Sequence, residues 1–206
     1  MKQTLPKLIP VFPLSGVIYF PKTNLPLNIF EKRYLDLVND SIRRDKLMGM
    51  IQSKRKDEEL YKIGCLGKIS DFQKSKDGRI LINLTGITRF QVLEEVKNSK
   101  LYREFKVGYE KFSLDLEPEL EEINTETIIK KSETFFKKSG LLLNWKEFDR
   151  LDKDQKINTL AMIAPITNEE KQKLLESVSL QEKIGTLGNI VNFYLHEIDL
   201  NNRTIQ

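Results

Sequence analysis

The 206-residue chain holds a single cysteine, Cys65, and a single histidine, His196. A lone cysteine forms no intrachain disulfide, which suits a reducing compartment, so the expected location is the cytoplasm. Two such residues leave no tetrahedral zinc set, and no metal or other cofactor is expected. Long apolar runs are missing too. The opening stretch MKQTLPKLIPVFPLSG breaks its apolar residues at Pro6, Pro10 and Pro13, so no signal-peptide core forms. The longest apolar cluster, residues 160–166, is cut by Pro165 and falls short of the roughly 20 residues a membrane span needs, so no membrane partner is expected.

Catalytic motifs are equally scarce. A phosphate-binding loop needs G-x-x-x-x-G-K-[ST], and the nearest stretch, Gly64-Cys65-Leu66-Gly67-Lys68-Ile69, is two residues too short and lacks the hydroxyl. The G-x-S-x-G elbow of a serine hydrolase is absent, and a triad would rest on His196, placed in a helical stripe near the C-terminus. Two carboxylate clusters, Asp57-Glu58-Glu59 and Glu117-Pro118-Glu119, fall where exposed loops are expected, without the burial that tunes an acid/base pair. Serine and lysine are plentiful, but nothing singles out one Ser–Lys dyad. No catalytic residue is therefore assigned, and the chain is read as working by binding.

What is present is uneven charge. Residues 1–112 carry 22 Lys/Arg against 13 Asp/Glu, while residues 113–206 carry 12 against 17. Such asymmetry can mark a nucleic-acid surface on the basic half, or simply a lysine-rich solvated surface, since the charges are scattered. Short apolar stretches fill that half. Residues 8–14 and 17–20, punctuated by Pro10, Pro13, Gly16 and Pro21, read as edge strands and corners. Lys76-Asp77-Gly78-Arg79 signals a hairpin joining residues 66–73 to 79–85, where Ile80, Ile82 and Leu84 alternate with Leu81, Asn83 and Thr85. Strands at 88–96 and 102–109 continue the pattern and imply a small barrel. One helix interrupts them, with Asn28 as cap to Glu31 and Phe30, Tyr34, Leu37, Val38 and Ile42 facing the barrel.

Near Glu117 the apolar period changes from two to about 3.6. Helices are expected at about 119–138 ending at Gly140, 152–164 stopped by Pro165, 167–176 and 179–200, the last two opened by capping boxes, Thr167 with Glu170 and Ser179 with Glu182. The expected organisation is an α+β chain with a barrel subdomain at 1–114 and a helical-bundle subdomain at 115–206.

Leu8-Ile-Pro-Val-Phe-Pro-Leu14, Val17 to Pro21 and Leu25-Pro-Leu-Asn-Ile-Phe-Glu-Lys-Arg-Tyr34 together resemble the opening of the Lon-protease N-terminal domain. Ile63-Gly-Cys-Leu-Gly-Lys-Ile69, Asp77-Gly-Arg79, Gly86-Ile-Thr-Arg-Phe90, with the family's glycine and arginine pair, and Glu170-Lys-Gln-Lys-Leu-Leu-Glu176 extend it over about residues 8–198. The resemblance implies a PUA-like small β-barrel with one packed helix, followed by a C-terminal helical bundle. It also implies a non-catalytic module that recognises unfolded or misfolded polypeptides, since the chain ends before the ATPase and peptidase modules of full Lon enzymes, with a separate protease as a further partner. Exposed apolar residues around Phe12, Phe20, Phe30 and Tyr34, with Arg33 beside them, would form the contact surface. Each of these rings also fits barrel or helix core, the more common fate of such a residue. Glu31 is explained by capping alone, and Arg33 by an ion pair at the barrel edge. RNA is the alternative partner, through the basic half and the stretch Tyr102-Arg-Glu-Phe-Lys106.

Overall fold

A computed structural model describes residues 5–55, 59–117 and 123–204. Asp57, Glu58, Pro118 and Glu119, from the two acidic clusters, lie outside the described residues, as does the expected helix start at 119. The chain divides into two compact units, Met1–Glu117 and Pro118–Gln206.

The first unit is built on six strands: β1 (Leu8–Leu14), β2 (Asn24–Ile29), β3 (Leu47–Arg55), β4 (Glu59–Lys74), β5 (Ile80–Val96) and β6 (Arg103–Gly108). Their order is β2-β5-β4-β3-β1-β6, and a further β5–β6 pairing closes the last five into a ring. The ring leaves β2 as an edge strand bonded only to β5. Inside, Ile9, Val11, Leu47, Ile51, Leu66, Phe90, Phe105 and Val107 form one buried cluster.

Four features depart from the sequence expectations. First, β1 is an interior strand despite Pro10 and Pro13. It pairs with β6 over Leu8 to Val11 and with β3 over Val11 to Leu14, so each proline lies in a half bonded on one side, where a missing N–H is tolerated. Second, residues 17–20 form no strand, and Ile18, Tyr19 and Phe20 are buried. Third, the strands expected at 79–85 and 88–96 are one, β5, which passes Gly86 through a register shift against β4. Gly86 is needed there: a Cβ on it would lie 2.3 Å from the Phe20 carbonyl oxygen and 2.9 Å from Pro21 Cα. Fourth, Asn28 is no helix cap. It lies in β2 opposite Leu81. Helix α1 (Lys32–Arg43) starts at Glu31, whose side chain makes no capping bond.

Helix α1 buries Tyr34, Leu37, Val38 and Ser41, with Ile42 only half-buried. Past its end, Lys46 N–H donates to the Ser41 carbonyl, with Lys46 in the left-handed region at φ 63° where glycine is usual. The hairpin at 75–79 forms as expected, with Gly78 at φ 87°. After β6 a 3-10 helix (Glu110–Leu116) ends the unit. It carries Asp115, whose carboxylate receives the Arg89 guanidinium at 2.7 Å and the Arg89 backbone N–H at 2.8 Å. This pair ties Asp115 to the barrel, within the unit that runs to Glu117.

The second unit holds α2 (Glu126–Lys138), a one-turn α3 (Trp145–Phe148), α4 (Lys153–Ile163), α5 (Asn168–Glu176) and α6 (Leu180–Thr204). Capping boxes open α4, at Asp152 with Gln155, and α5, at Thr167 with Glu170. At α6, Glu182 N–H donates to Ser179 Oγ, but the Glu182 carboxylate receives the N–H of Val178, not of Ser179. Helices α2 and α6 run parallel. Lys131 bonds Asn192 and, one heptad on, Lys138 pairs with Asp199. Phe135, Phe136, Leu187 and Val191 are buried, and Tyr194 stacks beside Phe135 at 5.5 Å.

The segment Lys171-Gln-Lys-Leu-Leu-Glu176 serves this packing. Lys171 Nζ donates to the Met162 carbonyl at the end of α4, and its half-burial lowers the ammonium pKa. Gln172 is buried and donates to Glu176; Leu174 and Leu175 are core.

Candidate functional site

Strand alternation sets which residues of the 25–34 stretch reach solvent. Leu25 and Ile29 are buried and Asn28 is exposed, so continuing the alternation turns Phe30 outward. It is 65% exposed, a phenyl ring in water at the corner between β2 and α1. Glu31 follows and accepts a hydrogen bond from Arg33 Nε at 3.0 Å. The Arg33 guanidinium also lies 4.5 Å above the Tyr34 ring. Tyr34 is buried: it meets Phe12 edge to face at 4.1 Å and donates to the Pro13 carbonyl at 3.3 Å.

The five expected contact residues therefore separate. Phe12, Phe20 and Tyr34 are 6%, 0% and 6% exposed. As folded, they offer no surface to a ligand. Phe12 and Tyr34 fasten α1 to β1, and Phe20 packs at the turn that crosses Gly86. Its carbonyl accepts Thr23 Oγ1–H at 2.7 Å. Phe30 and Arg33 remain accessible and adjacent.

Sequence reasoning missed Leu81 as a candidate. It is 45% exposed and lies opposite Asn28 on the outer face of β5, two residues short of Phe30 in register. The signal was present, since Leu81 stands in the phase of Asn83 and Thr85. Around those two the outer face is polar. Thr85 Oγ1 donates to Asn24 and lies 3.0 Å from Ser70 Oγ, which accepts from Asn83. Pro26 sits mid-way along the edge strand and removes a donor from the open edge, which discourages strand addition.

The stretch expected to suit RNA is otherwise occupied. Tyr102 and Phe105 are buried. Arg103 makes two 2.7 Å bonds to Glu95, and Lys106 reaches Glu94 at 2.7 Å. Stacking platforms and free cations are thus both lacking in this stretch.

Among the described residues no group of three or more His, Cys, Asp or Glu is arranged to hold a metal ion, and no helix is long and apolar enough to cross a membrane. Cys65 is buried, and His196 is exposed on α6.

Comparison with known proteins agrees with this architecture. A Lon protease from Syntrophus aciditrophicus is 25% identical over 97% of this chain, which covers 27% of that protein. Lon protease 2 of Myxococcus xanthus is 28% identical over 48% of the chain. The chain thus spans about a quarter of the length of curated relatives that it matches over nearly its whole length. A Lon N-terminal domain protein from Xanthomonas campestris superposes with a TM-score of 0.63 at 22% identity, covering 90% of this chain and 97% of that one. The N-terminal domain of a Mycobacterium avium complex Lon protease gives 0.58 at 18% identity, covering 90% and 98%. Residues 8–192 match the family model of the ATP-dependent protease La (LON) substrate-binding domain, and the chain belongs to that family.

Proposed function

We propose that this chain is a non-catalytic module that binds unfolded or misfolded polypeptide through the apolar surface made by Phe30 and Leu81, with Arg33 at its rim. The observation that carries this reading is Phe30, a large ring 65% exposed at a corner whose neighbours, Ile29 and Tyr34, are buried. A partner that covers this solvated phenyl would gain the roughly 1.5–3 kcal/mol that its burial returns. Membership in a substrate-binding family supports polypeptide as that partner. Delivery of the bound chain to a separate protease, as a step of cytoplasmic quality control, belongs to the same reading.

The test is fluorescence anisotropy with a labelled, reduced and carboxymethylated polypeptide. Phe30→Ser with Leu81→Ser should weaken binding by about tenfold, a typical loss for an aromatic anchor, while leaving the unfolding midpoint nearly unchanged. Mixed RNA across a salt series is the contrasting arm. RNA binding with a steep salt slope and no polypeptide binding would overturn the proposal.

A further inference from the structure

The strand register brings two basic segments to the apolar surface of Phe30 and Leu81. Ile29, the last residue of β2, pairs with Ile80, the first of β5, and Ile80 pairs in turn with Lys74, the last of β4. Beyond these three the chain leaves the sheet at one end of the barrel, as residues 30–33 leading into α1 and as the 75–79 hairpin. Lys74 Nζ donates to Asn39 Oδ1 of α1 at 3.0 Å, which holds the base of the hairpin beside that helix.

Charge in these segments is unbalanced. Residues 30–33 and 74–79 hold five cations, Lys32, Arg33, Lys74, Lys76 and Arg79, against two carboxylates, Glu31 and Asp77. Both carboxylates are engaged within their own segment, Glu31 by Arg33 at 3.0 Å and Asp77 by Arg79 at 3.1 Å. Lys32 and Lys76 are exposed, and among the described residues no carboxylate comes within ion-pair distance of either. The rim of the apolar surface therefore carries two uncompensated positive charges, one on each segment.

Building on the polypeptide reading, we propose that the segment bound at Phe30 and Leu81 is an apolar stretch flanked by acidic residues. Its apolar side chains cover the phenyl ring and the leucine, and its carboxylates meet Lys32 and Lys76. A basic flank would bring like charges together at the rim, which suppresses the wrong partner. The surface thus sorts unfolded segments by the charge beside their apolar core. A nucleic-acid strand would also meet these cations, but Leu81 presents no ring face on which a base could stack.

The preference is tested by fluorescence anisotropy with three labelled peptides. They share the core Ala-Leu-Phe-Val-Leu-Ala and carry two aspartates, two serines or two lysines at each end. At low salt the acidic peptide is expected to bind about fivefold more tightly than the serine peptide, and the lysine peptide more weakly than either. The spread should narrow at about 0.5 M salt, because the pairs are exposed. Lys32→Gln with Lys76→Gln should bring the acidic and serine peptides within about twofold of each other and leave the unfolding midpoint unchanged, since both lysines are exposed. Equal binding of the three peptides, lost in Phe30→Ser with Leu81→Ser, overturns the charge preference and leaves the polypeptide reading standing. An acidic preference unaltered in the glutamine variant overturns the assignment to Lys32 and Lys76. Failure of all three peptides to bind overturns both readings, as does displacement of the acidic peptide by polyuridylate at a lower concentration than by the unlabelled peptide itself.

Discussion

Removing the Asp115 carboxylate should be among the most damaging single changes available in the β-rich unit. The Arg89 side chain is 3% exposed and that of Asp115 9%. Between them run Nη2 to Oδ1 at 2.7 Å and Nε to Oδ2 at 2.9 Å, and Oδ2 also takes the Arg89 backbone N–H at 2.8 Å. The guanidinium lies 4.2 Å over the Phe112 ring, which shields the pair further. Asp115→Ala takes these acceptors away from a buried cation and a buried N–H, and the expected loss is about 3–5 kcal/mol. Removing both charges in Arg89→Met with Asp115→Leu leaves no uncompensated buried charge, and its expected cost, chiefly the orphaned N–H and the lost ring contact, is about 1–3 kcal/mol. The double variant should therefore be more stable than the single one. Urea unfolding followed by far-UV circular dichroism measures both, with the fluorescence of Trp145 in the helical unit read alongside. Because the pair is buried, the losses should change little between low and moderate salt. A loss below about 1 kcal/mol for Asp115→Ala, or a double variant no better than the single, would refute the reasoning.

Gly86→Ala should fail to fold or lose more than about 2 kcal/mol, because its Cβ would lie 2.3 Å from a backbone oxygen that cannot swing away; thermal unfolding reads this directly. At Lys46, φ 63° predicts that Lys46→Gly is neutral within about 1 kcal/mol, relief of strain offsetting backbone entropy, whereas Lys46→Val costs about 2 kcal/mol in the same melts. Hydrogen bonding from Arg103 holds the Glu95 carboxyl below the usual carboxylate range. A carboxylate depressed in the folded state stabilises above its unfolded pKa and loses that contribution as pH falls through the folded value. With the Glu95 side chain 45% exposed and screened, Glu95→Gln should cost a few tenths of a kcal/mol, roughly, at neutral pH. Urea midpoints should converge with those of the parent protein in acid, and a difference independent of pH would exclude the ion pair as its source.

What the sequence made legible follows the strength of each local rule. The 75–79 hairpin and the capping box at the start of α5 rest on turn and cap chemistry that acts within a few residues, and both form as expected, whereas the box expected at Ser179 forms in part. Strands β2 and β3 were missed because their partners are remote. Asn24–Ile29 is strand only because β5 lies beside it, and Leu47–Arg55 pairs with β4 and, in parallel, with β1. The prolines of β1 pointed to an edge because one-dimensional reading cannot show a strand that changes partner half-way along its length. Asn28 carried a cap's side chain but sits three residues ahead of the first turn, where β2 already holds it.

The recognisable motifs turn out to describe the scaffold. Phe12 and Tyr34 join α1 to β1, Gly86 admits the Phe20–Pro21 crossing, Arg89 anchors Asp115, and Lys171 and Gln172 pack α5. Each has its chemistry consumed inside the protein, which leaves nothing over for a ligand. A binding surface obeys no period and demands no fixed spacing, so it shows in sequence only where a residue violates the pattern around it. Phe30 and Leu81 are two such violations, apolar side chains in the outward phase of otherwise alternating segments. Their neighbours take the core positions, Ile29 before Phe30 and Ile80 and Ile82 on either side of Leu81. Phe30, at 65%, is the most exposed phenylalanine of the chain, ahead of Phe193 at 59%, and the proposed contact surface is placed at Phe30 and Leu81 because the other motif residues already have partners inside the protein.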